Sequence, residues 1–229
     1  MVGRLVQQLL SFAEVKQVIV TKNVPELLVI DDDERIEMVE NSTRRGFGAN
    51  HNKAFSLCRY PFFCVLNPDI ELPGNPFPSL VRCAEHHDAA IVAPLILAPD
   101  GSVEDSVRHF PTLKSLFLKL LGLGDGRYLL DSCQESLAPD WVAGMFMLFR
   151  SADFAKIGGF DERYFLYYED VDICDRIWRF GMKVVMCPKV SAIHDARRES
   201  HRSFRHLRWH LSSMGRYLMR SGTRHHGCD

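Results

Sequence analysis

The strongest constraint on the fold is an alternation of apolar runs with amphipathic stretches over the first ~100 residues. The runs "VKQVIVTKN", "FFCVL" and "AAIVAPLIL" are rich in strand-forming residues. The segments "GANHNKAFSLCR" and "PFPSLVRCAEHH" between them have helical patterns. Strands that alternate with helices predict an α/β fold with a mostly parallel sheet flanked by crossover helices. In such sheets, ligands bind beyond the carboxyl ends of the strands.

Composition narrows the classes of function. The chain has 229 residues, with 28 Lys and Arg against 29 Asp and Glu. With charges so nearly balanced, the chain has no overall electrostatic field that would favour binding to nucleic acid or to an anionic membrane. A local cluster of basic side chains must therefore hold any anionic ligand. We expect one domain over residues 1–229. There is no apolar run of about 18 residues that would predict a membrane-spanning helix.

The cysteines predict a reduced protein. Their number is odd, no CxxC pair occurs, and several lie in apolar runs where Cys behaves as a small hydrophobe. With no signal-peptide pattern at the start of the sequence, we expect a cytoplasmic chain. The seven cysteines are Cys58, Cys64, Cys83, Cys133, Cys174, Cys187 and Cys228.

The predicted strand "FFCVL" runs directly into Asn67, Pro68 and Asp69. Pro68 fixes its own φ and keeps Asn67 out of the helical region, so the carboxylate of Asp69 sits in a pre-set loop. Mg²⁺ and Mn²⁺ prefer one or two carboxylates together with phosphate oxygens. The alternative is a plain turn, because Asn, Pro and Asp favour turns in any case.

A second cluster lies in "YFLYYEDVDICDRIWRFG", where Glu169, Asp170 and Asp172 occupy the first turn of a predicted helix. The helix dipole favours acids there, which is the structural explanation. The functional explanation makes one of them a general base that deprotonates a hydroxyl group. Tyr168, with the aromatic residues before it, would then form an apolar wall or a platform for a sugar ring.

His194 ends the predicted strand "VSAIH" and is followed by Arg197 and Arg198. A histidine at a strand end can ligate a metal ion, and guanidinium groups can clamp a diphosphate. A solvated basic loop is the alternative. The remaining histidines match no compact zinc spacing.

Two weaker signals remain. Gly46 and Gly48 of "RRGFGANHNKAF" allow a ligand close to the backbone before a helix N-terminus, although the pattern is not a GxGxxG fingerprint. Trp141 and Gly144 flank the entry to the strand in "DWVAGMFMLFR", where the aromatic ring either stacks on a sugar or packs in the core.

The order of these motifs is more specific than any one of them. From about Val2 to Tyr217 they resemble the inverting family 2 glycosyltransferases of the GT-A fold. The resemblance is strongest to bacterial rhamnosyltransferase-like members that build surface polysaccharides. It implies transfer of a sugar, with rhamnose as a candidate, from a nucleotide-diphosphate donor to a hydroxyl of a glycan or lipid-linked acceptor.

The resemblance also implies the roles of the residues. Asp69 and His194 would hold Mg²⁺ or Mn²⁺, with Asn67 in place of the first Asp of the family's DxD motif. Asp170, paired with Glu169, would be the catalytic base. Residues 1–100 would form the donor half and residues 101–229 the acceptor and catalytic half. The donor-binding residues would be Asn67, Gly46, Gly48, Asn50, Arg197, Arg198, Arg216 and Tyr217, and the acceptor-binding residues Trp141, Gly144 and Tyr168.

One departure concerns the first strand of the family. Members begin with a strand reading roughly "VSVVIVSH", whereas "MVGRLVQQLLSF" reads as the helix that follows it. About 10–15 residues are absent by this comparison. Either the start codon is misassigned or the chain lacks a central strand, which would expose strand edges and weaken the nucleotide pocket. We expect a version extended upstream to be more stable or more active.

The sequence also leaves alternative functions open. A catalytically inactive nucleotide-sugar-binding protein is favoured by the absent strand and by Asn67. A nucleotidyltransferase would usually carry a glycine-rich N-terminal loop with a basic signature, which is missing, and no nucleic-acid module is recognisable. The basic segment 197–224 either packs on the catalytic domain or contacts the inner face of the membrane peripherally.

Overall fold

The computed structural model describes residues 1–25, 27–30, 32–123, 126–128, 135–195 and 204–222. The helices are α1 (Val2–Leu10), α2 (Phe47–Phe55), α3 (Phe77–His87), α4 (Leu113–Leu120), α5 (Ser151–Lys156), α6 (Glu169–Arg179) and α7 (Phe204–Gly222). The strands are β1 (Val18–Lys22), β2 (Ile36–Glu40), β3 (Phe62–Leu66), β4 (Ile70–Glu71), β5 (Ala89–Leu97), β6 (Val107–Arg108), β7 (Trp141–Val142), β8 (Phe146–Arg150) and β9 (Lys183–His194).

The central sheet has five strands in the order β3-β8-β5-β9-β4. β5 and β9 pair in parallel, whereas β8 is antiparallel to both of its neighbours and β4 is antiparallel to β9. The sheet is therefore mixed and not mostly parallel. The alternation in the first hundred residues could not reveal this, because β8 comes from the second half of the chain and inserts between β3 and β5.

β3, β5 and β9 nevertheless run in the same direction, so their carboxyl ends lie at the same end of the sheet. The amino end of β8 lies at that end too, because β8 runs the opposite way. Four chain segments therefore meet where ligands of α/β proteins bind.

Helices cover both faces of the sheet. On one face, α1 and α3 pack with alternate residues of β8, Phe146 and Leu148. On the other face, α2, α5 and α6 pack with the intervening residues Met147 and Phe149. This division follows from the two-residue repeat of a strand, which sends successive side chains to opposite faces. All four of these β8 side chains are buried, as expected for a strand covered on both sides.

A cleft of about 670 Å³ lies between β1 and β3. Val18 and Val20 of β1, Phe62 and Cys64 of β3 and Leu5 of α1 line its apolar part. Within the described part of the chain, β1 pairs only with β2 and β3 only with β8. Each of these two strands therefore has one edge without a strand partner, and the sheet is interrupted where the sequence predicts a missing strand.

The prediction that the cysteines are all reduced is wrong for one pair. Cys83 of α3 and Cys187 of β9 form a disulfide. Sequence spacing could not reveal the pair, because 104 residues separate the two positions. The packing of α3 across β9 in the folded protein brings them together. Cys58, Cys64 and Cys174 are free thiols.

Across the described ranges, none of the helices combines the length and the apolar character needed to cross a bilayer.

Candidate active site

The turn after β3 delivers Asp69 to the end of β9. The backbone N–H of Ile70 donates to the carbonyl of Asn67 (3.2 Å) and closes the turn around Pro68. Ile70 then pairs with His194 in the short ladder between β4 and β9. The N–H of Asp195 donates to the carbonyl of Asp69 at 3.0 Å. The pre-set loop predicted from the sequence thus places Asp69 beside His194, which is 125 residues away in the chain.

His194 lies between two carboxylates. Its Nε2 is 3.4 Å from Oδ2 of Asp69, and its Nδ1 is 2.8 Å from Oε2 of Glu104. The hydrogen bond to Asp69, aided by that to Glu104, raises the pKa of His194 to about 9 despite its partial burial. Burial alone would raise the pKa of Asp69, but the hydrogen bond and positive charge of His194 outweigh it, and the net shift is downward.

The pair of Asp69 and His194 fits a divalent cation that a ligand helps to coordinate. Oδ1 of Asp69 is buried and has no hydrogen-bond partner, so this acceptor atom is available to a cation. Among the described residues no group of three or more His, Cys, Asp or Glu side chains is arranged to hold a metal. Two protein ligands completed by phosphate oxygens are typical of Mg²⁺ sites that act on phosphate substrates.

Asp170 lies at the start of α6, with its carboxylate held against the entry to β8. The N–H of Gly144 donates to Oδ2 at 3.1 Å, and the N–H of Val171 donates to Oδ1 at 2.9 Å. A Cβ on Gly144 would lie 3.6 Å from the Cβ of Asp170 and 3.4 Å from the ring of Phe47. Both are ordinary van der Waals distances, so position 144 could hold a Cβ, and the carboxylate is held here by the backbone N–H.

Burial raises the pKa of Asp170, although the two backbone hydrogen bonds act in the opposite direction. Burial also raises the pKa of Glu169 well above its ordinary value, and the charge of Asp170 adds to this shift. Oε2 of Glu169 is buried without a partner. A pair of carboxyl groups with raised pKa values at a strand-end crevice is typical of acid–base chemistry.

The backbone before α6 is strained. Tyr167 and Tyr168 both have positive φ, 70° and 68°, a conformation that side chains with a Cβ rarely adopt. Such residues cost about 1–3 kcal/mol each and concentrate at functional sites. The ring of Tyr168 lies against Tyr217, with 5.7 Å between centroids, and against His210 at 5.5 Å. This packing holds the strained turn that presents Asp170.

Asp172, the third acid of the cluster, has a structural role. It is fully buried and accepts hydrogen bonds from Nε of Arg176 (2.8 Å) and Nη1 of Arg220 (2.5 Å). Arg176 also donates to the carbonyls of Ile157 and Gly159. The salt bridge from Asp172 to Arg220 fastens α7 to α6.

The two parts of the site are joined through the start of β8. The N–H of Asn67 donates to the carbonyl of Met145 at 2.9 Å. Met145 follows Gly144, whose N–H binds Asp170. The structure therefore brings the Asp69–His194 pair and Asp170 to the same end of the sheet.

The predicted donor residues near α2 divide into two groups. The side of Gly46 that a Cβ would occupy faces the carbonyl oxygen of Phe165 at 2.6 Å, and that of Gly48 faces Cβ of Phe160 at 2.7 Å. These glycines permit close packing of α2 against the segment before α6. Asn50 accepts a hydrogen bond from Asn41 (2.7 Å) and, with Asn67, lines the polar end of the 670 Å³ cleft.

The remaining predicted residues occupy different environments. Trp141 donates from Nε1 to the carbonyl of His109 at 3.0 Å and packs against the cluster of Tyr164, Tyr168, Val171 and Tyr217. The guanidinium of Arg216 lies 6.0 Å from the ring centre of Tyr164, and Tyr217 is buried. Arg197 and Arg198 lie outside the described residues.

The sequence profile described as glycosyl transferase family 2 matches residues 15–154, more than half of the chain. The chain belongs to glycosyl transferase family 2. A second profile, described as the N-terminal domain of galactosyltransferase, matches residues 130–206.

Relatives of this family 2 glycosyltransferase include rhamnosyltransferases. The chain is similar to rhamnosyltransferase WbbL of Escherichia coli strain K12, with 33% identity over 186 residues, or 76% of this chain and 70% of WbbL. It is also similar to the N-acetylglucosaminyl-diphospho-decaprenol L-rhamnosyltransferase of Mycobacterium tuberculosis strain H37Rv, with 37% identity over 139 residues. That match spans 57% of this chain and 45% of the mycobacterial protein.

Solved glycosyltransferase structures share the GT-A fold with the chain. The mannosyltransferase PcManGT from Pyrobaculum calidifontis, in complex with GDP-Man and Mn²⁺, has a TM-score of 0.59 at 14% identity and covers 95% of this chain and 61% of its own. GalNAc-T7 with UDP, GalNAc and Mn²⁺ has the same TM-score and identity, and covers 81% of this chain and 38% of its own. The predicted family and GT-A fold are confirmed.

The sequence interpretation missed Glu104 in this glycosyltransferase. Glu104 belongs to "APDGSVE", which signals a turn. The bridge between Leu97 and Val103 returns the chain along β5, and the N–H of Glu104 donates to the carbonyl of Ile96 at 2.9 Å. The sequence pattern that could have indicated its place beside His194 was an acidic residue directly after a hairpin signal at the carboxyl end of a strand.

Proposed function

We propose that this family 2 glycosyltransferase inverts the anomeric carbon of the sugar that it transfers. The donor is a nucleotide-diphosphate sugar, with rhamnose as the candidate sugar, and the acceptor is a hydroxyl of a glycan or lipid-linked saccharide. The observation that carries the proposal is the position of Asp170, whose carboxylate is held by the N–H of Gly144 beside the Asp69–His194 end of the sheet. The names of the two rhamnosyltransferase relatives support the choice of sugar and acceptor.

Asp69 and His194 would hold Mg²⁺ or Mn²⁺, and the free acceptor atom of Asp69 supports this assignment. A bound cation supplies positive charge that stabilises a leaving diphosphate. The structures of two GT-A neighbours, which contain Mn²⁺, support the same class of cofactor. Asn67 and Asn50, which line the polar end of the cleft, would bind the donor, together with Arg197, Arg198 and Arg216.

Asp170 acts as the general base. Its carboxylate accepts the proton of the acceptor hydroxyl while that oxygen forms a bond to the anomeric carbon. The bond from the anomeric carbon to the diphosphate oxygen breaks on the opposite side, and its electron pair leaves with the nucleoside diphosphate. The configuration inverts in one step, and no covalent enzyme intermediate forms. The raised pKa of Asp170 suits this role, because a base with a pKa nearer neutrality takes up the proton more readily.

The two halves of the chain would divide the substrates. Residues 1–100 contribute Asn50, Asn67 and Asp69 on the donor side, and residues 101–229 contribute Asp170 and the acceptor side. Trp141 would provide aromatic surface for the acceptor saccharide, and Gly144 and Tyr168 would belong to the same side of the site. The protein would act on the cytoplasmic face of the membrane, where the basic C-terminal segment makes peripheral contact.

The test is donor turnover with Mn²⁺ in wild type and in Asp170→Asn. We expect donor hydrolysis by wild type and a fall of about 10²–10⁴-fold in the variant, with donor affinity retained. Asp100→Asn, which changes an exposed carboxylate outside the proposed site, is the matched control and should keep full activity. Equal turnover in the Asp170 variant and wild type would remove Asp170 from the reaction.

A second candidate function is a nucleotide-sugar-binding protein without catalytic activity. The interrupted sheet favours it, because Asn50 and Asn67, the proposed donor-binding residues, line the cleft between β1 and β3. Asn67 in place of a first carboxylate favours it too. Donor binding in calorimetry without any hydrolysis or transfer would identify this function.

A further inference from the structure

Two helices of the second half expose apolar side chains to solvent. Each of these side chains is more than half exposed, although most large hydrophobic residues of the described chain are not. We call them, with the helices that carry them, the α4–α7 surface. On α4 and the residues after it they are Leu113, Phe117, Leu121 and Leu123, and on α7 they are Phe204, Leu207, Leu211 and Met219.

The exposed residues of α7 form one stripe. Phe204, Leu207 and Leu211 follow the i, i+3, i+7 spacing of a single helix face. The opposite face is fixed to the protein, since Ser213 and Tyr217 are buried and the hydroxyl of Ser213 donates to the carbonyl of Leu166 at 3.0 Å. The stripe therefore points away from the domain because packing fixes the rotation of the helix.

α4 and α7 belong to one surface. Phe110, which lies just before α4, packs against the aromatic cluster that contains Tyr217 of α7. This contact places the start of α4 near α7. Burial lowers the pKa of His210 on α7, and the positive charge of Lys119 on α4 lowers it further, which agrees with that arrangement.

The charges on these helices have one sign. Neither α4 nor α7 contains an Asp or Glu, although the chain has more acidic than basic residues. Lys114 and Lys119 belong to α4, and Arg205 and Arg208 border one side of the apolar stripe of α7. Apolar side chains bordered by cations, with acids excluded, complement an anionic lipid surface. A second copy of the chain would meet the same positive charge and be repelled.

We propose that the α4–α7 surface docks on an anionic lipid bilayer. α7 contacts Tyr167 and Tyr168, the two residues that precede Glu169 and Asp170. Docking through this helix would hold the crevice at the bilayer, where a lipid-linked saccharide presents its hydroxyl. The purpose of the contact rests on the proposed function, but the contact itself does not.

The test is co-sedimentation of the full chain with vesicles of phosphatidylcholine, with and without about 30 mol% phosphatidylglycerol. We expect binding to the anionic vesicles only, weakened by about 0.5 M NaCl because salt screens the charges. Replacement of Arg205 and Arg208 by Gln should weaken binding roughly thirtyfold. Replacement of Leu207 and Leu211 by Ser should weaken it roughly tenfold or more.

Matched controls lie on other surfaces. Arg82→Gln on α3 and Met38→Ser on β2 change exposed residues of the same types and should bind vesicles as wild type does. The proposal would be overturned if wild type did not bind anionic vesicles, or if wild type and the α7 variants bound them equally. A wild-type dimer in sedimentation velocity that the Leu207 and Leu211 changes dissociate would overturn it in favour of self-association.

Donor hydrolysis without vesicles separates this proposal from the proposed function. The α7 variants should hydrolyse donor as wild type does, because none of the exchanged side chains belongs to the proposed donor, metal or catalytic residues. Hydrolysis with no vesicle binding in wild type would refute the docking surface alone. Vesicle binding with no hydrolysis in wild type would refute the enzymatic function alone.

Discussion

Arg220 fastens α7 to α6 through Asp172, and its removal should destabilise the domain. Its Nη1 lies 2.5 Å from Oδ1 of Asp172, which is fully buried, and 3.4 Å from Oδ2 of Asp161. In Arg220→Met the methionine fills most of the space of the arginine stem but donates no hydrogen bond. Among the described residues, Asp172 then keeps Arg176 as its charged partner.

The size of the loss follows from burial. Removing one partner of a buried ion pair typically costs about 3–5 kcal/mol. Arg176 continues to compensate Asp172, and the side chain of Arg220 is 24% exposed, so we expect about 2–3 kcal/mol. For 229 residues the entropy of unfolding is about 480 cal/mol/K, so this loss lowers the Tm by about 4–6 °C.

The assay is differential scanning calorimetry, with proteolysis of α7 as a second measurement. Arg163→Met is the matched control, because Arg163 also pairs with Asp161 but is mostly exposed. An exposed pair contributes about 0–1 kcal/mol, so this variant should lose no more than about 2 °C. A Tm of Arg220→Met within about 1 °C of wild type, or an equal loss in the control, would refute the reasoning.

Three further outcomes are expected. In the metal-free protein, the contribution of His194 to the free energy of unfolding is fully present below its ordinary pKa of 6.5 and is lost as the pH rises through about 9. His194→Gln should flatten this part of the plot of urea-unfolding free energy against pH, and an unchanged plot would contradict the assignment. Gly48→Ala should lower the free energy of unfolding by about 1–3 kcal/mol, because its Cβ would lie 2.7 Å from Phe160. Gly74→Ala, with open space around its Cβ, should cost less than about 1 kcal/mol. Equal denaturation midpoints for the two variants would count against the close packing of α2. A five-residue Val/Ile segment with a short loop, fused before Met1, should pair with the open edges of β1 and β3 and raise the Tm. The same fusion with proline at the centre of the segment should leave the Tm unchanged, because proline cannot donate to a strand ladder. Identical Tm values for both fusions would argue against a strand site in the cleft.

Local patterns predicted the elements that carry the site. The apolar run before Asn67 forms β3, the acidic start of "EDVDICDRIWR" forms α6, and the run that ends at His194 forms β9. Strand and helix periodicity are local properties, so the sequence contains them. The resemblance to family 2 glycosyltransferases then implied that Asp69 and His194 would meet, and the strand-end rule by itself placed only Asn67–Asp69 at a ligand site.

Long-range arrangements could not be predicted in the same way. β8 inserts antiparallel between two strands of the first half, and no local pattern records the direction of its neighbours. Glu104 reaches His194 across 90 residues, and Arg220 reaches Asp172 across 48. The positive φ of Tyr167 and Tyr168 is likewise imposed by packing, since tyrosine itself disfavours that conformation.

We propose that one crevice combines the Asp69–His194 end of the sheet with Asp170. The decisive measurement is a crystal structure of the chain with Mn²⁺ and an unreacted nucleotide-diphosphate sugar. We expect the diphosphate at Asp69 and His194, with the face of the anomeric carbon opposite the leaving oxygen turned towards the carboxylate of Asp170. A donor bound elsewhere, or an anomeric carbon with no open path to Asp170, would contradict it.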